Sequence, residues 1–135
     1  MLMKRSVLAL AISVLAITCI PLSAFAGAKD DLDAGDAAVA RGEYREAIRL
    51  FDKVLDSDKL TVGAQSYVLL DRGHTYSLMG QHDKAVQDYN QSIKLYPNHA
   101  AYNVLAWLYA TCRDQKYLDG KRAVEFALKL SLIHI

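Results

Sequence analysis

The side chains with chemistry to offer are few. They are four histidines (His74, His82, His99 and His134), an aspartate run (Asp30, Asp31, Asp33 and Asp36), and Cys112, the one cysteine after residue 26. The histidines have no metal-ligand spacing, with one another or with the cysteine. The aspartate run lacks the glycine and closing glutamate of a calcium loop. A first-turn position is expected for it instead, where carboxylates interact favourably with the helix dipole. No serine–histidine–acid set, paired carboxylates in an apolar setting or phosphate-cradling glycine loop is visible, so no catalytic residue, cofactor or metal is expected. A lone cysteine cannot form an internal disulfide. Cys112, close to Leu108 and Ala110, reads first as a small buried hydrophobe and second as a reactive or intermolecular thiol. The sequence therefore points to a surface that binds.

What positions such a surface is a repeat. Gly80–Pro97 slid back by 38 residues lands on Gly42–Leu55: Gly80 on Gly42, Ala85 on Ala47, Val86 on Ile48, Tyr89 on Phe51 and Ile93 on Leu55. Slid forward by the same 38, Ala85-Val86 meets Ala123-Val124, and Tyr89 meets Ala127. Self-similarity at such a period marks a helical repeat array. Each glycine permits a tight reversal between antiparallel helices. The alanine five residues on lets a neighbouring helix approach closely. Val86, Tyr89, Ile93 and Tyr96 recur at three- and four-residue spacing, one face of a helix that Pro97 ends. The preceding helix spans Ser66 to Met79. Gly73 within it costs about 1 kcal/mol relative to alanine, which a close crossing of the paired helix would explain.

Leu69, Gly73, Tyr76, Ala85, Tyr89 and Pro97 stand at the spacings of the tetratricopeptide repeat, a helix-turn-helix of about 34 residues. The chain resembles that family over three repeats, about 28–61, 66–99 and 100–131. The first has Asp31 and Ala38 where larger apolar residues are usual. The third, with Leu105-Ala106-Trp107 and Asp119-Gly120-Lys121-Arg122-Ala123-Val124, resembles a variant with extra residues between its helices. The stretch Leu60–Ala64 is expected to add a helical turn before the middle repeat.

The resemblance implies an all-α, right-handed α-solenoid whose concave groove, lined by the first helix of each repeat, binds a peptide or partner helix. The groove positions implied are Leu32, Asp36 and Val39, then Tyr67, Leu70, Asp71 and His74, then Val104, Leu108 and Thr111. Val104 and Leu108 serve equally as core positions against a following repeat. Leu32, Leu70 and Val104 stand where the family's carboxylate clamp has a lysine, and Asp36 where it has an asparagine. The clamp is not expected here. A mixed apolar and acidic groove favours an apolar ligand with a basic residue.

Met1–Ala26 reads as a signal peptide rather than part of the fold. Lys4 and Arg5 precede an apolar run, Val7–Ile20, which Pro21 breaks before a small-x-small cleavage site at Ala24-Phe25-Ala26. An uncleaved membrane anchor and lipid attachment at Cys19 are the alternatives, and all three imply export to a periplasm or cell envelope. The repeat domain is then 27–129. Without the signal segment it holds 14 basic and 15 acidic residues, with no basic footprint for nucleic acid. Membrane contact is expected only through an uncleaved signal segment. Residues 130–135, Leu-Ser-Leu-Ile-His-Ile, break from the repeat. Read back into codons they look like a transposase adapter sequence, and they are taken as a non-native tail, the alternative being an apolar end cap.

The expected function is a non-enzymatic protein–protein interaction module, a scaffold or adaptor in the envelope. The alternatives are the N-terminal portion of a larger protein with a catalytic domain downstream, and an array binding a small apolar ligand.

Overall fold

The computed structural model describes residues 22–133. Six α-helices and no strand occur among them: α1 (Leu22–Ala40), α2 (Tyr44–Leu55), α3 (Val62–Leu78), α4 (His82–Leu95), α5 (His99–Thr111) and α6 (Gly120–Ile133). They pair in order as three hairpins, α1 with α2, α3 with α4 and α5 with α6, and each hairpin packs on the next. The expected cleavage site lies at the edge of this region. Residues 1–21 of the signal segment, Cys19 among them, fall outside the described residues, as do His134 and Ile135 of the tail.

The first two reversals are built identically. Gly42 and Gly80 adopt φ of 76° and 72°, the left-handed region that glycine enters without a Cβ clash. In each, two backbone N–H groups cap the preceding helix. Gly80 N donates to Ser77 O and Gln81 N to Tyr76 O, as Gly42 N does to Val39 O and Glu43 N to Ala38 O. The third hairpin has no such glycine. Its eight-residue loop closes when Asp119 N donates to Tyr109 O at 2.9 Å. The Asp119 carboxylate then accepts from the N–H groups of Lys121 and Arg122, capping α6.

α3 begins at Val62, so Leu60–Ala64 does supply an added turn, capped by the Thr61 hydroxyl accepting from Ala64 N at 3.2 Å. α5 is capped by Asn98, whose Oδ1 accepts from Ala101 N at 2.8 Å.

The aspartate run requires a correction. α1 already starts at Leu22, so Asp30, Asp31, Asp33 and Asp36 lie in its interior and not in a first turn. They act through side chains instead. Asp31 binds Lys53 of α2 at 2.7 Å, and Asp33 pairs with Lys29 one turn earlier.

Two core clusters run through the stack. Ala38, Ala47, Phe51, Val54 and Val68 fill the first. Leu70, Ala85, Tyr89, Ala101, Leu105 and Leu108 fill the second, with Tyr109, Tyr117 and Ala123. Small residues let the helices close: Ala47 and Ala85 are fully buried, and Gly35 and Gly73 abut the rings of Phe51 and Tyr89. Arg72 of α3 makes bidentate bonds at 2.8 Å to Asp88 of α4 within its own hairpin, and one at 2.6 Å to Asp52 of α2 across to the first hairpin.

Candidate functional site

α1, α3 and α5, the first helices of the three hairpins, supply the residues expected to bind. Where α3 meets α5 there is an open cavity of about 710 Å³, within the range of ligand pockets. α3 contributes His74, Ser77 and Leu78; α5 contributes Asn103, Val104, Trp107, Leu108 and Thr111; and α4 closes the back with Tyr89 and His82. Cys112 and Arg113 form the rim where α5 ends. The cavity walls are mainly apolar, and Trp107 remains 66% exposed at the lip. An aromatic side chain of this size left in water is a ready contact for a partner.

Four of the ten expected positions, His74, Val104, Leu108 and Thr111, come together in this cavity. Leu108 is buried and Val104 half-buried, so both also pack on the second core. Leu70 is buried in that core. Leu32 and Val39 are half-buried against the first core. Tyr67 is exposed on α3, outside the cavity.

Asp36, exposed on α1, and Asp71, half-buried on α3, lie outside the cavity. Burial pushes the Asp71 carboxyl up to about 6, and the neighbouring negative charge of Asp36 adds to the effect. Asp36 is itself raised, by burial and by Asp33. No cation lowers either group. The arginine nearest in sequence, Arg72, is engaged with Asp52 and Asp88.

Sequence reasoning passed over Trp107, Leu78, His82 and Arg113. Trp107 was recoverable, because Val104, Trp107 and Thr111 share one helical face at three- and four-residue spacing. His82 was not. It opens α4, and its Nδ1 is buried without a hydrogen-bond partner, which depends on how the third loop folds back. In that loop Tyr117 is buried, donates to the Asp83 carboxylate and packs edge-on to His82 at 5.5 Å. Lys116 adds an ion pair to Asp83 at 2.7 Å. Cys112 is a free, half-buried thiol that caps α5 at the cavity rim. No cluster of three metal-ligating side chains occurs among the described residues, and none of their helices is long and apolar enough to cross a membrane.

Comparison with known proteins agrees with the hairpin architecture. The family model described as tetratricopeptide repeat matches residues 66–99, which span α3 to the start of α5. Over 71 residues the chain is 37% identical to the "Photosystem I assembly protein Ycf3" of Acaryochloris marina (strain MBIC 11017). That match covers 51% of this chain and 38% of the relative, so the chain spans well under half the length of the curated protein it resembles. The chain thus carries a tetratricopeptide repeat at residues 66–99, in the middle of three consecutive helical hairpins.

Proposed function

We propose that the chain is a non-enzymatic protein–protein interaction module that holds a peptide or helix of a partner against the face made by α1, α3 and α5. The observation that carries this reading is the apolar cavity between α3 and α5 with Trp107 exposed at its lip. A scaffold or adaptor role in assembling other proteins fits it, and the relative is itself named as an assembly protein. Selecting a displayed random-peptide library on the wild-type protein, then rescreening the clones on Trp107→Ala, tests the site. Clones that lose binding to the variant support it. Clones indifferent to Trp107 and to Val104→Asp overturn it.

We propose further that the module works outside the cytoplasm, in the periplasm or cell envelope, on the strength of the basic start, apolar run and Ala24-Phe25-Ala26 site. Fusing residues 1–26 to a reporter active only after export tests this. A second reading, a binding portion of a larger enzyme, draws on Val124, Leu128 and Leu132, which leave an apolar stripe of α6 exposed. Genomic sequence past the Lys129 codon decides between the two.

A further inference from the structure

The α3–α5 cavity has the size and the lining of a small-molecule site. Its volume of about 710 Å³ falls where drug-sized ligands are enclosed, by mainly apolar walls with a few polar groups. Four of its lining residues carry flat rings: His74, His82, Tyr89 and Trp107. Tyr89 is fixed in the core, and the Trp107 ring is largely open to an incoming group. A planar ring system gains most from such walls, by offset or edge-on stacking. No aspartate or glutamate lines the cavity. The carboxylates of α4 nearby are committed elsewhere, Asp83 to Lys116 and Tyr117, and Asp88 to Arg72. Arg113 at the rim is the opposite case. It follows the end of α5, where a basic side chain often bonds the last carbonyls of a helix. Its side chain is exposed and makes no hydrogen bond or ion pair with the described residues.

We propose that this cavity is a receptor site for a small aromatic carboxylic acid, its ring system against Trp107 and Leu108 and its carboxylate on the Arg113 guanidinium. The guanidinium presents paired N–H donors in a planar fork that matches a carboxylate. An uncharged ring ligand keeps the stacking and loses the ion pair. A cationic one meets Arg113 and finds no carboxylate in the lining, so charge separates the classes. The acid site stands without any partner. A consequence does rest on the reading proposed above, that a partner uses the same cavity: acid and partner then exclude one another, and the acid regulates the partner face by filling it.

Trp107 is the single tryptophan of the chain, so its indole N–H gives one nitrogen–proton cross-peak that reports the cavity. The probes are β-naphthoate, β-naphthamide and β-naphthylmethylammonium, titrated into the isotope-labelled full chain. The naphthoate is expected to move that peak and to bind about fivefold more tightly than the amide, as an exposed ion pair allows. The ammonium is expected to bind most weakly. Arg113→Gln is expected to bring the acid down to the level of the amide. Thr111→Asp puts a carboxylate at an exposed lining position, and is expected to abolish acid binding and favour the ammonium instead. Equal affinity for all three probes would overturn the proposal, because the cleft would then be unselective. Dodecanoate bound as tightly as the naphthoate would overturn the aromatic class. An indole peak unmoved by every probe would overturn the acid site, while library clones that still need Trp107 would leave the partner reading standing. The naphthoate is expected to displace such clones from the wild-type protein. Acid bound with those clones still in place would overturn the exclusion alone.

Discussion

Gly73 and Tyr89 meet where the two helices of the middle hairpin cross, and the ring occupies the space a side chain at residue 73 would need. A Cβ there would lie 2.7 Å from Tyr89 Cε1, and one at Gly35, 38 residues earlier, would lie 2.6 Å from Phe51 Cε1. Gly73→Ala gains about 1 kcal/mol of helix propensity but overpacks a fully formed core, which costs about 1–3 kcal/mol. The expected result is a lower Tm than wild type, partly restored by Tyr89→Leu in a double-mutant cycle. Gly63→Ala is the control: nothing lies within 4 Å of its Cβ, so it is expected to leave Tm unchanged or raise it.

Asn98 joins two hairpins through one side chain. Its Oδ1 caps α5, and its Nδ2 donates to Ser66 Oγ and to Tyr96 O, each at 3.0 Å. Ser66 Oγ in turn lies 2.8 Å from Ser92 Oγ, and all three polar side chains are buried. Asn98→Ala removes a cap and strands buried polar groups, an expected loss of about 2–4 kcal/mol by urea denaturation. Asn98→Asp keeps the cap and loses the amide donor, and is expected to fall between.

Much of this architecture was legible because it rests on local rules. The glycine–aromatic pairs, the reversal glycines Gly42 and Gly80, Pro97 after α4 and the added turn before Ser66 each follow from a residue type at a fixed offset. The site was less legible, because it depends on what lies across from each helix. Leu70 and Leu108 carry the same spacing as groove positions but are buried in the second core. The aspartate run was misplaced because it was read as the first turn of its helix, while α1 begins at Leu22. The role of His82 depends on Tyr117, 35 residues away in the least regular loop, where no periodicity operates.

Arg72 reaches the first hairpin through Asp52 and its own hairpin through Asp88, which is almost wholly buried. Arg72→Met would strand that carboxylate, with an expected loss of about 3–5 kcal/mol. Replacing both, with Asp88→Leu, is expected to recover most of it, since a buried ion pair is readily exchanged for apolar packing. A double variant as unstable as Arg72→Met would show that the ring of contacts to Asp52 matters more than the Asp88 pair.

The third loop is held down at Tyr117, between exposed Arg113 and Lys116 on one side and the α6 cap on the other. Tyr117→Ala removes the ring that packs against His82 and the hydroxyl that reaches Asp83. Trypsin cleavage after Arg113 and Lys116 is expected to become faster than at the lysines of α2 and α4, as local opening of the loop becomes easier. Tyr117→Phe keeps the ring and is expected to be cut at an intermediate rate.

Asp71 gives a pH test with a definite sign. Its carboxyl is pushed up to about 6 in the folded protein, chiefly by burial and then by Asp36. The folded state therefore holds a proton that the unfolded chain releases near pH 4, and this group favours folding more as pH drops from about 6 to about 4. Above pH 6 it is ionised in both states, and its burial destabilises the fold by at most about 3 kcal/mol. Asp71→Asn removes the penalty. The variant is expected to melt above wild type at pH 7.5, with the gap closing toward pH 4. Comparing the two Tm profiles isolates this group, because every other carboxylate titrates in both proteins. A gap that is absent at pH 7.5, or that widens toward pH 4, would mean Asp71 is well solvated. A gap of the expected sign would mean that α3 carries a carboxylate destabilised by its burial.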